Sequence, residues 1–223
     1  QLLIVPIATW IMVFSSWEMT YRIQAIAILA FSVPLSALLL RDNPATGTAT
    51  AAADQDGMTL REAISNPAFW ILGFGFIVCG WTMAFPNTHF MAYADDMGMS
   101  VLHAANAISV TAIFSVLGSV LLGMAADRYA RSHVLALTYA LRGLAFLLLL
   151  LLPGGNLIYI YGLVLGISWT ATTPLTASIA ADRYGPRHLG LIFGSLFTFM
   201  NLGFGVGSFL DGVIYEHLGG YNG

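Results

Sequence analysis

Arg142 stands in the middle of an apolar run, "VLALTYALRGLAFLLLLL", that contains no acid. A guanidinium presents a planar fork of donors that can grip a carboxylate at two points. The alternative is a structural arginine bonded to backbone carbonyls or to an acid elsewhere. His89 ends the stretch "FPNTH" in a second apolar run. Its imidazole, with an ordinary pKa of about 6.5, can bind a solute or carry a proton. The plainer role is a hydrogen-bonded structural histidine near the edge of the run. Pro86, just before Asn87, removes a donor, frees a carbonyl and is expected to break its helix. Trp81, Trp169, Thr172 and Asn201 lie near the midpoints of their own runs, with Thr82, Ser168, Thr170, Thr173 and Thr198 beside them. Polar groups at such depth are costly in lipid, so they are expected to face protein or a water-filled cavity. The candidate solute-binding set is therefore Trp81, Asn87, His89, Arg142, Trp169, Thr172 and Asn201.

The composition decides what positions these groups. The chain is 58% hydrophobic and 9% charged, with a mean hydropathy of +0.80. Soluble domains carry about a quarter charged residues, so apolar helices with polar ends fit better than a soluble core. A helix needs about 20 apolar residues to cross the hydrocarbon layer. Ile23–Leu40, Ala68–Tyr93, Ala104–Ala126, Val134–Leu152, Leu157–Ala181 and Leu189–Val213 qualify, and Gln1–Phe14 is a shorter seventh. The runs are too long and too evenly apolar for barrel strands. The expected class is an all-α membrane protein.

The connections alternate in charge. Arg41, Arg61, Arg128, Arg131, Arg183 and Arg187 all fall in every second loop, and the chain has no lysine. The intervening loops "SSWEMTYR", "ADDMGMSVLH" and "PGGN" hold a single arginine. The arginine-rich side is expected to be cytoplasmic, and the location a plasma or bacterial cytoplasmic membrane. The one long connection, residues 41–67, begins as a flexible Ala/Thr/Gly linker. It ends with Thr59 and Glu62 at capping-box spacing, then Asn66 and Pro67 as cap and first helical position.

Gly123–His133, "GMAADRYARSH", resembles the cytoplasmic G-x-x-x-D-R-x-x-R loop of the major facilitator superfamily, which joins the second and third helices of each six-helix half. Here it joins the second and third spans after the long linker. The resemblance implies that 1–40 are the last two helices of the first half, one of them clipped, and that 68–223 is the second half without its last helix. About seven of twelve helices are expected to be present, the missing ones belonging to the same longer chain. It further implies a latch made by Gly123, Asp127, Arg128 and Arg131 that holds the two halves together on the cytoplasmic side. Ordinary topology-fixing charge is the alternative. Gly118 and Gly123 are expected to let neighbouring helices approach closely. A near echo, Asp182–Arg187, reads as a helix stop, with Gly185 and Pro186 forcing the turn.

Within that superfamily the chain looks most like bacterial relatives of the monocarboxylate and oxalate–formate carriers. "THFMAYADDMGMS", "YALRG" and "YGPRHLGLIFG" carry that likeness. It implies alternating-access transport of a small organic solute, monocarboxylates first, with protons as candidate coupling ion. Another solute class, drug-like or sugar, or a non-transporting receptor of the same fold, is the alternative. Two features of those carriers are absent: the second-helix Asp–Arg pair of the animal proteins and a fifth-helix lysine. Arg142 also falls in a helix that is usually peripheral. There is no HExxH, GxSxG or Cys/His metal spacing, so neither catalysis, a metal, a cofactor nor a nucleic-acid partner is expected. The single cysteine, Cys79, reads as a small buried hydrophobe. Asp211 lies about 31 Å along its helix, at the outer rim.

Overall fold

The computed structural model describes residues 11, 15–39, 57–151 and 155–218. The expected span Gln1–Phe14 (Ile11 apart), the linker up to residue 56 with Arg41, and residues 152–154 and 219–223 lie outside the described residues. The chain divides into two compact units, Gln1–Asp54 and Gln55–Gly223. The boundary falls within the expected linker. The described residues are almost wholly helical, and six helices are long and apolar enough to cross a membrane.

In the first unit α1 runs Trp17–Leu39 with Pro34 inside it. It begins six residues earlier than its apolar run, because Trp17–Arg22 of the expected loop are helical. Ser16 starts it, its hydroxyl accepting from the Met19 N–H at 3.3 Å.

The second unit opens with α2, Leu60–Ser65, capped as expected. The Thr59 N–H donates to the Glu62 carboxylate at 2.7 Å, and the Glu62 N–H donates to the Thr59 hydroxyl at 3.4 Å. The Thr59 backbone bond, seconded by its hydroxyl, holds the Glu62 carboxyl below its ordinary value of 4.5. A lowered pKa means the cap contributes fully above that ordinary value and fades as pH falls through the lowered one. Amides 60–65 are therefore expected to exchange faster in Glu62→Gln at neutral pH, and native exchange to approach the variant's in acid. Equal exchange at both pH values would remove the cap's role.

Asn66 caps α3, Pro67–Ala84, accepting from the Ala68 N–H at 3.0 Å. Pro86 does not break the helix that follows, contrary to expectation. Phe85–His89 widens into a π turn, closed by the Phe90 N–H on the Phe85 carbonyl, and α4 continues over Phe90–Asp96. The widened turn absorbs the missing proline donor while the chain stays helical. Two polar side chains help: Asn87 Nδ2 donates to the Met83 carbonyl and Thr88 Oγ1 to the Ala84 carbonyl, each at 2.7 Å.

Next come α5, Val101–Arg128, and α6, Arg131–Leu151. The expected span Leu157–Ala181 is present as one membrane span, Gly155–Tyr184, but a turn at residues 170–171 divides it into α7 (Ile158–Trp169) and α8 (Thr172–Tyr184). Pro174 accounts for the interruption: it has no N–H for the Thr170 carbonyl and its ring crowds that group. Gly185 ends α8 with φ 77°, the left-handed conformation that favours glycine, so the echo motif is a helix stop as expected. The last element is α9, Leu189–Leu218.

Packing is most extensive between α3 and α9, and between α5 and α7; α6 lies against α7 and α8. Glycine permits the first crossing. A Cβ on Gly80 would overlap the Met200 carbonyl oxygen, and one on Gly203 would overlap the Ile77 carbonyl oxygen. Gly118 is a close approach of the same kind, against the Ile167 backbone, as expected. Gly123 is not: a Cβ there would meet nothing within 4 Å. It lies on the exposed side of the last turns of α5. Phe90, Tyr93, Tyr161 and Leu165 form one core, with Phe85 and Phe146 against it. Ala63, Phe69, Tyr184 and Ile192 form another, which seats the surface helix α2 on α3, α8 and α9.

Candidate functional site

Arg142 projects from the middle of α6 and is 1% exposed. Its Nη1 donates toward α3: to Cys79 Sγ at 2.9 Å, and to the Cys79 carbonyl and Thr82 Oγ1 at 3.4 Å. Its Nη2 donates to the end of α7, to the Ser168 carbonyl at 2.9 Å and the Trp169 carbonyl at 3.0 Å. The same nitrogen reaches Thr172 Oγ1, at the start of α8, at 3.3 Å. The guanidinium carbon lies 5.9 Å from the centre of the Trp169 ring, within cation–π range. Nε is buried without a partner.

Arg142, Trp169 and Thr172 are thus brought together. Cys79, expected to be a plain apolar residue, belongs with them: it is buried, and its thiol donates to Thr172 Oγ1 at 3.5 Å. The signal is present in the sequence, since Cys79 and Thr82 are three apart and share a helix face.

The other candidates lie along α3, the π turn that follows it, and α9. His89 Nε2 meets the Ser208 carbonyl at 3.0 Å. Trp81, 41% exposed, stands beside Gly207, where a Cβ would come within 3.2 Å of its ring. Asn201 is exposed and returns its amide to the Phe197 carbonyl at 2.9 Å. Asn87 is exposed as well. Thr172 is wholly buried. Asp211 falls on α9 three residues beyond Ser208. The set therefore divides into a buried cluster (Arg142, Thr172 and the Trp169 carbonyl) and an accessible one (Trp81, Asn87 and Asn201), with His89 and the Trp169 ring half-buried.

At the arginine-rich end, Arg131 pairs with Asp182 and not with Asp127. Arg131 is the first residue of α6 and Asp182 lies in the last turn of α8. The extended backbone at Tyr129 starts α6 afresh, and these two ends meet. Nothing in the sequence announces the pair, because the echo motif on its own reads as a stop. Gly123, Asp127 and Arg131 line a groove of about 200 Å³ with Ser119, Pro174 and Ser178. Arg128 is exposed at the end of α5.

The sequence profile of the Major Facilitator Superfamily matches residues 1–208. The chain belongs to the major facilitator superfamily. Together with the six apolar helices, this makes it a multi-pass integral membrane protein. It is 25% identical over 99% of its length to the uncharacterized MFS-type transporter YcxA of Bacillus subtilis (strain 168), covering 55% of that protein. It is 25% identical to the uncharacterized MFS-type transporter YhjX of Escherichia coli (strain K12), over 82% of the chain and 45% of that protein. The MFS-type transporter pynF of Aspergillus niger (strain ATCC MYA-4892 / CBS 513.88 / FGSC A1513) is 24% identical over 87% of the chain and 44% of its own length. The chain spans about half the length of these curated relatives.

In this superfamily member the Arg131–Asp182 pair is largely exposed, the two side chains being 39% and 60% accessible. It is worth at most ~1 kcal/mol to stability. Arg131→Asp and Asp182→Arg are each expected to lower the thermal midpoint slightly, and the swapped double variant to recover it. A double variant no better than the sum of the singles would show that the two charges do not interact.

Proposed function

We propose that the full-length protein is a secondary transporter that moves a small organic anion, a monocarboxylate, across a bacterial cytoplasmic membrane by alternating access. Membership of the superfamily carries the transport reading. Arg142 supports the anion: it is the cation at mid-depth of the spans, and no carboxylate lies within ion-pair distance of it among the described residues.

The proposed contacts are the accessible and half-buried groups: Trp81 and the Trp169 ring as apolar walls, Asn87 and Asn201 as donors, and His89 as the group that binds solute or exchanges a proton. Thr172 and Arg142 act from behind them. Gly123, Asp127, Arg128 and Arg131 serve as the cytoplasmic latch, with Asp182 added to it. The helices outside this chain complete the solute site, so these 223 residues are not expected to transport alone.

The test uses the complete protein in proteoliposomes with formate, acetate and lactate, with and without an imposed pH gradient. Saturable uptake of any of them supports the carboxylate, and acceleration by an inward proton gradient makes His89→Gln the next variant. Absence of uptake of all three from folded protein, with uptake of a sugar or a lipophilic cation instead, would replace the monocarboxylate by that class.

A further inference from the structure

We propose that Arg142 is a positioning residue: it clips the break between α7 and α8 onto α3, just ahead of the π turn, so that these two irregular spans move as one piece. The inference goes beyond the transport reading and stands on geometry that is independent of any solute.

Among the described residues, two spans of this unit depart from regular α geometry within the membrane: α3–α4 at the π turn Phe85–His89, and α7–α8 at residues 170–171. Arg142, on a third helix, touches both. One terminal nitrogen serves α3 and the other serves the break, each through three contacts. A continuous helix would engage the Ser168 and Trp169 carbonyls from N–H groups four residues on. Here a side-chain donor reaches them. These carbonyls also form the negative end of the α7 dipole, which favours a cation there. A buried guanidinium without a carboxylate is thereby compensated by backbone dipoles and by the Trp169 ring face. With both terminal nitrogens so engaged, no donor on them is left over for a solute.

Such a clip needs a planar fork with nitrogens on two sides. A lysine keeps the charge but has one nitrogen, which cannot serve α3 and the α7 end together. Cys79 supplies a reporter: it is 1% exposed and its sulfur accepts from the clip. In the full-length protein, N-ethylmaleimide modification of Cys79 is measured on the peptide that contains it. Modification is expected to be slow in the native protein and about tenfold faster in Arg142→Lys and Arg142→Gln, because local opening of the break exposes the thiol. Amides 168–175 are expected to lose protection while those of α9 keep theirs. Where formate, acetate or lactate is transported, Arg142→Lys is expected to lower the maximal rate with little change in KM.

A raised KM with Cys79 still protected would overturn the proposal and make Arg142 a solute contact. Cys79 protected in both variants would overturn it outright. Should the arginine variants fail to fold, Thr172→Val removes one acceptor of the clip and keeps the shape. It is expected to speed modification of Cys79 about threefold, and an unchanged rate would overturn the proposal. Cys79 reports without any solute, so failure of the clip and failure of the carboxylate reading remain distinguishable.

Discussion

Gly80→Ala and Gly203→Ala are each expected to destabilise the folded protein by about 3 kcal/mol or more, at or beyond the upper end of ordinary overpacking. In both, one methyl group meets a carbonyl oxygen of the opposite helix, Met200 for Gly80 and Ile77 for Gly203. A side-chain neighbour could rotate away, but a helix carbonyl moves only with its helix. The α3–α9 crossing must therefore open along its length and give up contacts at Gly73–Phe199 and Trp81–Gly207 as well. Because either methyl forces the same separation, the double variant is expected to cost clearly less than the sum. Gly205→Ala is the control. It lies on the same helix, its Cβ would meet nothing within 4 Å, and it is expected to be neutral or to stabilise by up to ~1 kcal/mol through helix propensity. Thermal midpoints of the full-length protein by size-exclusion recovery test all four. Gly80→Ala matching Gly205→Ala would show that the crossing is loose enough to admit a methyl group.

Arg142→Met is expected to cost about 2–4 kcal/mol, the net result of two opposing effects. Removing the guanidinium orphans the Ser168 and Trp169 carbonyls in a buried setting, at ~1–3 kcal/mol each. It also relieves the burial of a charge, and replacing a whole buried ionic group by apolar residues can be neutral or even stabilising. Here only one side of the arrangement is replaced. The carbonyls belong to the α7–α8 break and cannot be mutated away, so the cost of orphaning them is expected to win. A native or higher midpoint for Arg142→Met would mean that the break satisfies its own carbonyls once the arginine is gone.

Much of the architecture is legible in the sequence, and the reason is the solvent. Lipid demands long apolar helices, so hydropathy marks the spans, and arginine placement marks their alternation independently. The observed helices overrun the predicted ones because polar end residues, such as Asp95 and Asp96 or Asp127 and Arg128, extend a helix without adding hydropathy. The Thr59–Glu62 and Asn66–Pro67 caps are legible because their bonds are local. The interruption at residues 170–171 is not, although Pro174 points to it: an apolar run looks the same whether its helix is continuous or broken. At Pro86 the proline is visible but its effect is not, since a break and a π turn differ only in how the next few carbonyls are satisfied. In the candidate site, mid-depth polar residues can be named one by one. Their partnerships cannot, because Arg142 meets Cys79, Ser168 and Thr172 across three helices. Asp182 escapes for the same reason: its partner Arg131 lies 51 positions away.

The placement of Arg142 also bears on how the chain enters the membrane. Its acceptors on α3 are synthesised before it, and those on α7 and α8 after it. When α6 leaves the ribosome, a mid-helix arginine costs about 2.5–3.5 kcal/mol to insert on its own. Cys79 and Thr82, already synthesised, are expected to be the first acceptors within reach of one nitrogen. The other finds its acceptors only when α7, which ends in Ser168 and Trp169, has followed. The order of translation is therefore expected to bring α6 in with a half-satisfied cation, one nitrogen turned to α3 and the other left for the next helix to emerge.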